Sequence, residues 1–97
     1  MKIKNAIFLD RDGTLNKGII KENEKNFKLR PPQNYNEFHI FEDITILNSF
    51  TDKYKLFIVS NQPDIKKGFQ TKEFNDHINL SISKKIQITK IYTCFCL

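Results

Sequence analysis

A short apolar run near the start of the chain ends abruptly at two aspartates. Residues Ile3 to Leu9 are mainly apolar, and Asp10 and Asp12 follow with a single residue between them. Gly13 comes immediately after the second aspartate. This pattern predicts a buried β-strand that is closed by a polar turn. The chain is therefore expected to build a sheet around this strand.

Two later segments have the periodicity of helices. In the first, Glu42–Tyr54, the spacing of the apolar residues defines one helix face, made of Ile44, Ile46, Leu47 and Phe50. The second helix begins after Thr71, which has the side chain of an N-cap residue. The apolar face of this second helix comprises Phe74, Ile78, Ile82 and Ile86.

Two further strands are predicted at Lys55–Asn61 and Gln87–Cys94. Strand, helix, strand, helix, strand is the order of a parallel sheet with helical crossovers. We therefore expect an α/β fold with a parallel sheet in a single domain. A chain of 97 residues with 39% hydrophobic residues can build a core of modest size.

The polar segment after the first strand is too long for an ordinary connection. Its firmest break is Arg30–Asn36, where consecutive prolines exclude a helix. We expect residues 17–38 to form a flap over the edge of the sheet. Arg30 is either a substrate contact within this flap or a solvated loop arginine.

Polar residues follow several of the predicted strands. Because ligands bind at the carboxyl ends of parallel strands, these residues are expected to meet at one edge: Asp10, Asp12, Ser60, Asn61 and Cys94. Two carboxylates this close can bind magnesium beside a phosphate, and one of them can act as a nucleophile. The alternative is an Asp-Gly turn in which the carboxylates only cap the strand.

The segment "FLDRDGTLN" resembles the first motif of the haloacid dehalogenase superfamily of phosphohydrolases. The arginine between the aspartates and the later asparagine resemble the branch that contains heptose bisphosphate phosphatases and histidinol-phosphatases. This resemblance implies that Asp10 is the nucleophile, that Asp12 is the general acid and base, and that both ligate Mg²⁺. It implies hydrolysis of a sugar phosphate through an aspartyl-phosphate, with heptose 1,7-bisphosphate as the first choice of substrate and histidinol phosphate as the second.

The segment "FIVSNQPDIKKGF" resembles the second motif of the same branch. The residues expected to bind substrate or phosphate are Arg11, Gly13, Ser60, Asn61, Gln62 and Lys67. The sequence departs from the branch at Pro63-Asp64, where serine-glycine is usual, and at Lys67, where arginine is commoner. Lysine cannot make the bidentate phosphate contact of arginine, so these departures bear on the choice of substrate.

The two cysteines, Cys94 and Cys96, lie at the C-terminus. Their one-residue spacing disfavours an unstrained disulfide, which leaves reduced thiols or half of a metal site. The segment "IYTCFCL" resembles the strand that leads into a zinc loop in this branch, so Cys94 and Cys96 are candidates for a partial zinc site.

The resemblance covers only the front part of the family's domain. It implies that residues 1–97 are the N-terminal portion of a single domain, a partial Rossmann-like parallel sheet with helical crossovers and no large cap domain. The lysine of its third motif and the acidic residues of its fourth would follow the zinc loop, and Lys84, Lys85 and Lys90 come too early to match. His39 and His77 match no motif. We expect a C-terminally truncated phosphatase with weak or no turnover, and the alternative is a non-catalytic remnant.

The net charge of +5 admits a nucleic-acid-binding protein as a third possibility. The lysines are spread along the chain without a compact basic run, which favours solvated surface residues. No nucleic acid or membrane is therefore expected as a partner. We expect a monomer, and the resemblance implies a small phosphorylated sugar as its substrate. The sequence shows no signal peptide or membrane span, so a cytoplasmic location is the default.

Overall fold

The computed structural model describes residues 5–20 and 29–95. Among these residues are five strands: β1 (Asn5–Asp10), β2 (Ile19–Ile20), β3 (Leu29–Arg30), β4 (Tyr54–Asn61) and β5 (Lys90–Cys94). Strands β1, β4 and β5 form a parallel sheet with β4 in the centre, and β2 pairs with β3 in an antiparallel ribbon. The predicted α/β fold with a parallel sheet is confirmed.

The helical segments lie between the strands of the main sheet. A 3₁₀ helix, Glu42–Phe50, precedes β4. A single turn, α1 (Asp64–Lys67), and a longer helix, α2 (Lys72–Ser83), connect β4 to β5. The predicted N-cap is confirmed, because the Thr71 side chain accepts a hydrogen bond from the Phe74 N–H at 3.1 Å.

The hydrophobic core lies between one face of the sheet and the helices. Ile58 of the central strand is fully buried there and packs with residues of α2 and of the segments around it. The buried cluster consists of Leu15, Ile44, Ile58, Phe74, Ile78, Ile82 and Ile86. Three of the four residues predicted for the second helix face lie within α2, while Ile86 is buried just after the helix ends.

The opposite face of the sheet is largely open to solvent. Phe8 of β1 is 64% exposed, and it stacks on Phe57 of β4 with the ring centroids 5.2 Å apart. Phe57 in turn lies 6.2 Å from the ring of Tyr92 on β5. The prediction of a buried first strand is wrong, since Ile7 and Leu9 are only half-buried and the other residues of β1 are exposed. Within the described residues only one face of the sheet carries helices.

Two predicted elements differ from the structure. The segment predicted as a helix at Glu42–Tyr54 is a 3₁₀ helix that ends at Phe50, and Ile46 is 67% exposed instead of widening a buried face. Spacing by three residues matches the three-residue turn of a 3₁₀ helix, which explains this outcome. The predicted loop after β4 contains α1, which ends at Gly68 with a positive φ of 82°.

The end of the predicted flap packs against α1 and α2. The Gln70 side chain donates a hydrogen bond to the Pro32 carbonyl at 2.6 Å, and Gln33 donates one to Asp64 at 3.2 Å. The Tyr35 ring lies 5.0 Å from the ring of Phe74. Residues 21–28, in the middle of the predicted flap, lie outside the described part of the chain. No helix in residues 5–20 and 29–95 has both the length and the hydrophobicity of a membrane span.

Candidate active site

Asp10 is the last residue of β1, and its side chain is exposed at the carboxyl edge of the sheet. Its Oδ1 accepts a hydrogen bond from the Arg11 backbone N–H at 3.1 Å. This contact is to the neighbouring residue, and among the described residues the structure gives no other hydrogen bond to the Asp10 carboxylate. Asp10 therefore presents an ionisable oxygen group to solvent at the place where parallel sheets bind their ligands.

The turn after β1 brings the second aspartate back toward the sheet. The Arg11 carbonyl accepts a hydrogen bond from the Leu15 N–H at 2.8 Å, and Gly13 donates to the Asn16 carbonyl at 2.7 Å. Gly13 has a φ of 89°, a left-handed conformation that glycine adopts without strain. A Cβ at Gly13 would lie 3.5 Å from a methyl group of Leu29, so strand β3 of the flap lies against this turn.

The Asp12 carboxylate is held by three side chains. Arg11 contacts both of its oxygens, with Nε 3.3 Å from Oδ1 and Nη2 3.2 Å from Oδ2. Asn16 donates to Oδ1 at 3.0 Å, and Gln62 donates to Oδ2 at 2.6 Å. The side chain is 16% exposed. Its orientation is therefore fixed, and its negative charge is matched by the guanidinium and two amide donors.

Arg11 itself is fully buried. Its Nη1 donates to Asn75 Oδ1 at 2.6 Å and to Asn79 Oδ1 at 2.9 Å, so the guanidinium joins Asp12 to helix α2. Burial lowers the pKa of the Arg11 guanidinium below its ordinary value, while the adjacent Asp12 carboxylate opposes that change. Arg11 was predicted to contact phosphate. In this conformation its hydrogen bonds go to Asp12 and α2, and none of its side chain is exposed.

The end of β4 contributes the other predicted residues. Ser60 is buried, and Asn61 is exposed and lies opposite Cys94 in the register of β4 and β5. The Gln62 N–H donates to the Cys94 carbonyl at 2.6 Å, so the first residues after β4 stay attached to β5. Lys67 is exposed at the end of α1. The structure thus brings Gln62 into contact with Asp12, and it records no such contact for Lys67.

Several buried polar atoms at this edge lack a hydrogen-bond partner within the described part of the chain. They are the side-chain oxygens of Asn16, Ser60 and Gln62. Buried polar atoms are normally paired in proteins, and an orphaned one is often a sign of a missing ligand or water. Asn16 and Gln62 both contact Asp12, so their unpaired oxygens lie close to that carboxylate.

The donor atoms at this edge suit a hard cation. Asp10 and Asp12 provide carboxylate and carbonyl oxygens, and Mg²⁺ prefers oxygen ligands and often uses only one or two carboxylates beside a phosphate. No group of three or more His, Cys, Asp or Glu side chains in residues 5–20 and 29–95 is arranged to hold a metal ion. A protein site that kept part of the magnesium shell as water or phosphate would fit the residues present.

The expectation for the cysteines is contradicted at Cys94. This residue is disulfide-bonded, although the one-residue spacing had disfavoured a disulfide. The partial zinc site expected at Cys94 and Cys96 stays a prediction. The other predicted zinc ligand, Cys96, lies outside the described residues.

Three residues near Asp12 were not assigned a role from the sequence: Asn16, Asn75 and Asn79. The last two are four residues apart, and each follows a residue of the buried apolar face of α2. A pair of amides at this spacing, on the border of a buried helix face, is a signal for a buried polar partner. The sequence pattern does not identify this partner, because the partner depends on how α2 packs against the turn after β1.

The two histidines and the three lysines in the C-terminal part of the chain do not contact Asp10 or Asp12. His77 lies in an aromatic cluster, with its ring 4.9 Å from Tyr35 and 5.9 Å from Phe38. His39 and the three lysines Lys84, Lys85 and Lys90 are exposed, and the Lys90 ammonium lies 5.0 Å from the ring centre of Tyr92. These placements agree with the interpretation of these residues as surface or partly packed groups.

The fold and the site define an α/β protein with two adjacent carboxylates at the carboxyl edge of a parallel sheet, one exposed and one held in a buried network. No protein-family model matches the chain. It is similar to a curated protein of Thermoplasma volcanium that is named a probable D-glycero-D-manno-heptose-1,7-bisphosphate 7-phosphatase. The two are 31% identical over 98 aligned residues, which cover 92% of this chain and 59% of that relative. The chain thus spans about three fifths of the relative's length.

Proposed function

We propose that this chain belongs to the haloacid dehalogenase type of phosphatases and carries the nucleophile of a phosphomonoester hydrolase. The observation that carries the proposal is the pairing at the sheet edge: Asp10 is exposed, while Asp12 is fixed two residues away by Arg11, Asn16 and Gln62. The similarity to a relative named as a phosphatase supports the same class. Its substrate name supports a sugar phosphate, with heptose 1,7-bisphosphate ahead of histidinol phosphate.

In the proposed reaction, an Asp10 carboxylate oxygen attacks phosphorus and the bond to the sugar oxygen breaks. Asp12 donates a proton to the leaving oxygen, and it later accepts a proton from the water that hydrolyses the aspartyl-phosphate. Ser60, at the end of the neighbouring strand, is the hydroxyl available to stabilise charge on the phosphoryl oxygens. Mg²⁺ held by the Asp10 carboxylate and the Asp12 carbonyl would neutralise phosphate charge when bound.

Asp10 and Asp12 differ in exposure and in hydrogen bonding, and these differences match the two roles proposed for them. A nucleophile has to reach substrate, and Asp10 is the exposed member of the pair. A general acid has to be oriented toward the leaving oxygen, and the side chain of Asp12 has the fixed orientation. The hydrogen bonds from Arg11 and Gln62 hold the Asp12 carboxylate beside Asp10, where it can reach the leaving oxygen in the proposed reaction.

The proposal is tested by detecting the aspartyl-phosphate directly. The purified 97-residue chain is mixed with p-nitrophenyl phosphate and magnesium chloride, quenched in acid and digested for mass spectrometry. We expect a phosphate adduct on the peptide that contains Asp10, which Asp10→Asn abolishes and the matched surface variant Asp43→Asn retains. Detection in a single turnover does not require rapid hydrolysis, so it is informative even if the chain turns over slowly.

Substrate choice is measured separately. Release of phosphate from heptose 1,7-bisphosphate should exceed release from histidinol phosphate under the same conditions. Faster release from histidinol phosphate would reverse the order of the two substrates. Failure to find any adduct on Asp10 with either compound or with p-nitrophenyl phosphate would favour the non-catalytic alternative.

A further inference from the structure

Helix α2 is connected to the Asp12 carboxylate through the side chain of Arg11. Asn75 is almost completely buried, and Asn79 stands one turn further along the same helix. Both direct their side-chain oxygens to Nη1 of Arg11, at 2.6 Å and 2.9 Å. Two acceptors on one nitrogen fix the plane of the guanidinium, because its donors point in set directions.

The other two nitrogens of the Arg11 guanidinium contact Asp12. Nε and Nη2 contact the two oxygens of this carboxylate, the side-by-side arrangement that gives an arginine–carboxylate pair its defined geometry. Arg11 therefore has one side facing α2 and the other facing Asp12, with no part exposed. The two asparagines thus fix the guanidinium, which orients the Asp12 carboxylate together with Asn16 and Gln62.

We propose that Arg11, fixed by Asn75 and Asn79, is the positioning residue for the Asp12 carboxylate. This inference rests on the proposed function for the catalytic meaning of Asp12, while the physical connection between α2 and Asp12 stands on the contacts alone. Arg11 does not touch substrate in this role. It acts by holding the general acid and base in one orientation, and α2 supplies the fixed point.

A buried arginine could instead serve only the stability of the fold. The two roles differ in what happens at Asp12 when the anchor on α2 is removed. Asn79 is only partly buried, so leucine can be accommodated there. The replacement removes the side-chain oxygen that accepts a hydrogen bond from Nη1 of Arg11. Arg11→Lys keeps the charge but removes the planar fork, so one ammonium cannot replace the contacts to both asparagines and both carboxylate oxygens. Asp76→Asn, at an exposed position on the same helix, is the matched control.

The first experiment records carboxyl carbon signals by NMR in the full chain. We expect Asn79→Leu and Arg11→Lys to move the Asp12 signal while leaving that of Asp10 in place, and Asp76→Asn to move neither. The methyl signal of Ile58 reports whether each variant is folded. If Arg11→Lys does not fold, Asn79→Leu decides the question. An unchanged Asp12 signal in folded Asn79→Leu would overturn the proposal, whether or not the chain has phosphatase activity.

The second experiment uses the leaving group. Nitrophenolate leaves without protonation, whereas an alkyl oxygen needs the acid, and general acid catalysis contributes roughly 10²–10⁴-fold to such steps. In Asn79→Leu we expect phosphorylation of Asp10 by an alkyl phosphate to slow by about tenfold or more, and that by p-nitrophenyl phosphate to change little. Equal losses with both donors would indicate a structural role only. No phosphorylation in the unmodified chain would count against the proposed function, and the NMR result would still decide the positioning role.

Discussion

At the scale of single residues, the clearest charged contact outside the site joins Arg30 to Glu37. The guanidinium donates to both carboxylate oxygens, at 2.9 Å and 2.6 Å, and the Gln33 N–H adds a third hydrogen bond at 2.9 Å. Arg30 was predicted to be either a substrate contact or a solvated residue. In the structure the Arg30 side chain is partly buried, and its ion pair with Glu37 joins β3 to the segment that precedes the 3₁₀ helix.

This ion pair predicts a pH-dependent contribution to stability. The hydrogen bond from Arg30 holds the pKa of Glu37 below its ordinary value. A carboxyl with a lowered folded-state pKa stabilises the protein above its unfolded-state pKa, and the effect is lost as pH falls through the folded value. We expect Glu37→Gln to lower the free energy of unfolding by less than about 1 kcal/mol at neutral pH, since the pair is near the surface.

The measurement is urea unfolding of both proteins from neutral pH to about pH 2. The difference between them should shrink toward zero as the pH falls. Asp52→Asn, at an exposed position outside this contact, is the control and should show no comparable convergence. A stability difference between Glu37→Gln and the unmodified chain that stayed constant with pH would contradict the assignment.

At the scale of elements, the stability of α2 depends on how the N–H groups of its first turn are capped. Thr71 satisfies one of the unpaired N–H groups at the start of the helix. We expect Thr71→Ala to lower the free energy of unfolding by about 1 kcal/mol, while Thr71→Ser, which retains the hydroxyl, should be close to neutral. Urea unfolding of the three proteins measures this, and equal losses for alanine and serine would argue against capping as the cause.

The elements of the main sheet could be predicted because apolar periodicity and capping act locally. The strand at Lys55–Asn61 and the start of α2 at Thr71 both follow from such patterns, and both are confirmed. The helix at Glu42–Tyr54 was only partly right, since a three-residue spacing does not separate a 3₁₀ helix from an α-helix.

The site was harder to predict than the strands. The sequence placed Asp10 and Asp12 at a strand end, but the partners of Asp12 depend on contacts between distant segments. Gln62 is fifty positions from Asp12 in sequence, and Asn79 is farther still from Arg11. Such contacts are set by how the helix packs on the sheet, which no local pattern encodes.

At the scale of the whole molecule, the sheet carries helices on one face only within the described residues. Parallel sheets are usually covered on both faces, so the aromatic row of exposed Phe8, half-buried Phe57 and exposed Tyr92 is unusual. Phe8→Thr should reduce binding of an apolar-surface dye such as ANS, and should change the free energy of unfolding by less than about 1 kcal/mol. Dye fluorescence and urea unfolding measure the two effects.

Ile58→Thr provides the contrast on the covered face of the same sheet. Ile58 is completely buried, and we expect this change to lower the free energy of unfolding by about 2 kcal/mol or more. Dye binding by Phe8→Thr equal to that of the unmodified chain would show that the exposed row does not bind the dye.

The order of strands also governs how the chain can form during synthesis. β1 ends at Asp10, but its partner in the sheet begins at Tyr54. At the usual rates of translation, the synthesis of β4 follows that of β1 by roughly two to ten seconds. The network around Asp12 takes longer still, because Asn79 of α2 has to leave the exit tunnel before Arg11 can be fixed. The nascent chain therefore carries an apolar strand without its sheet partner until β4 has been synthesised.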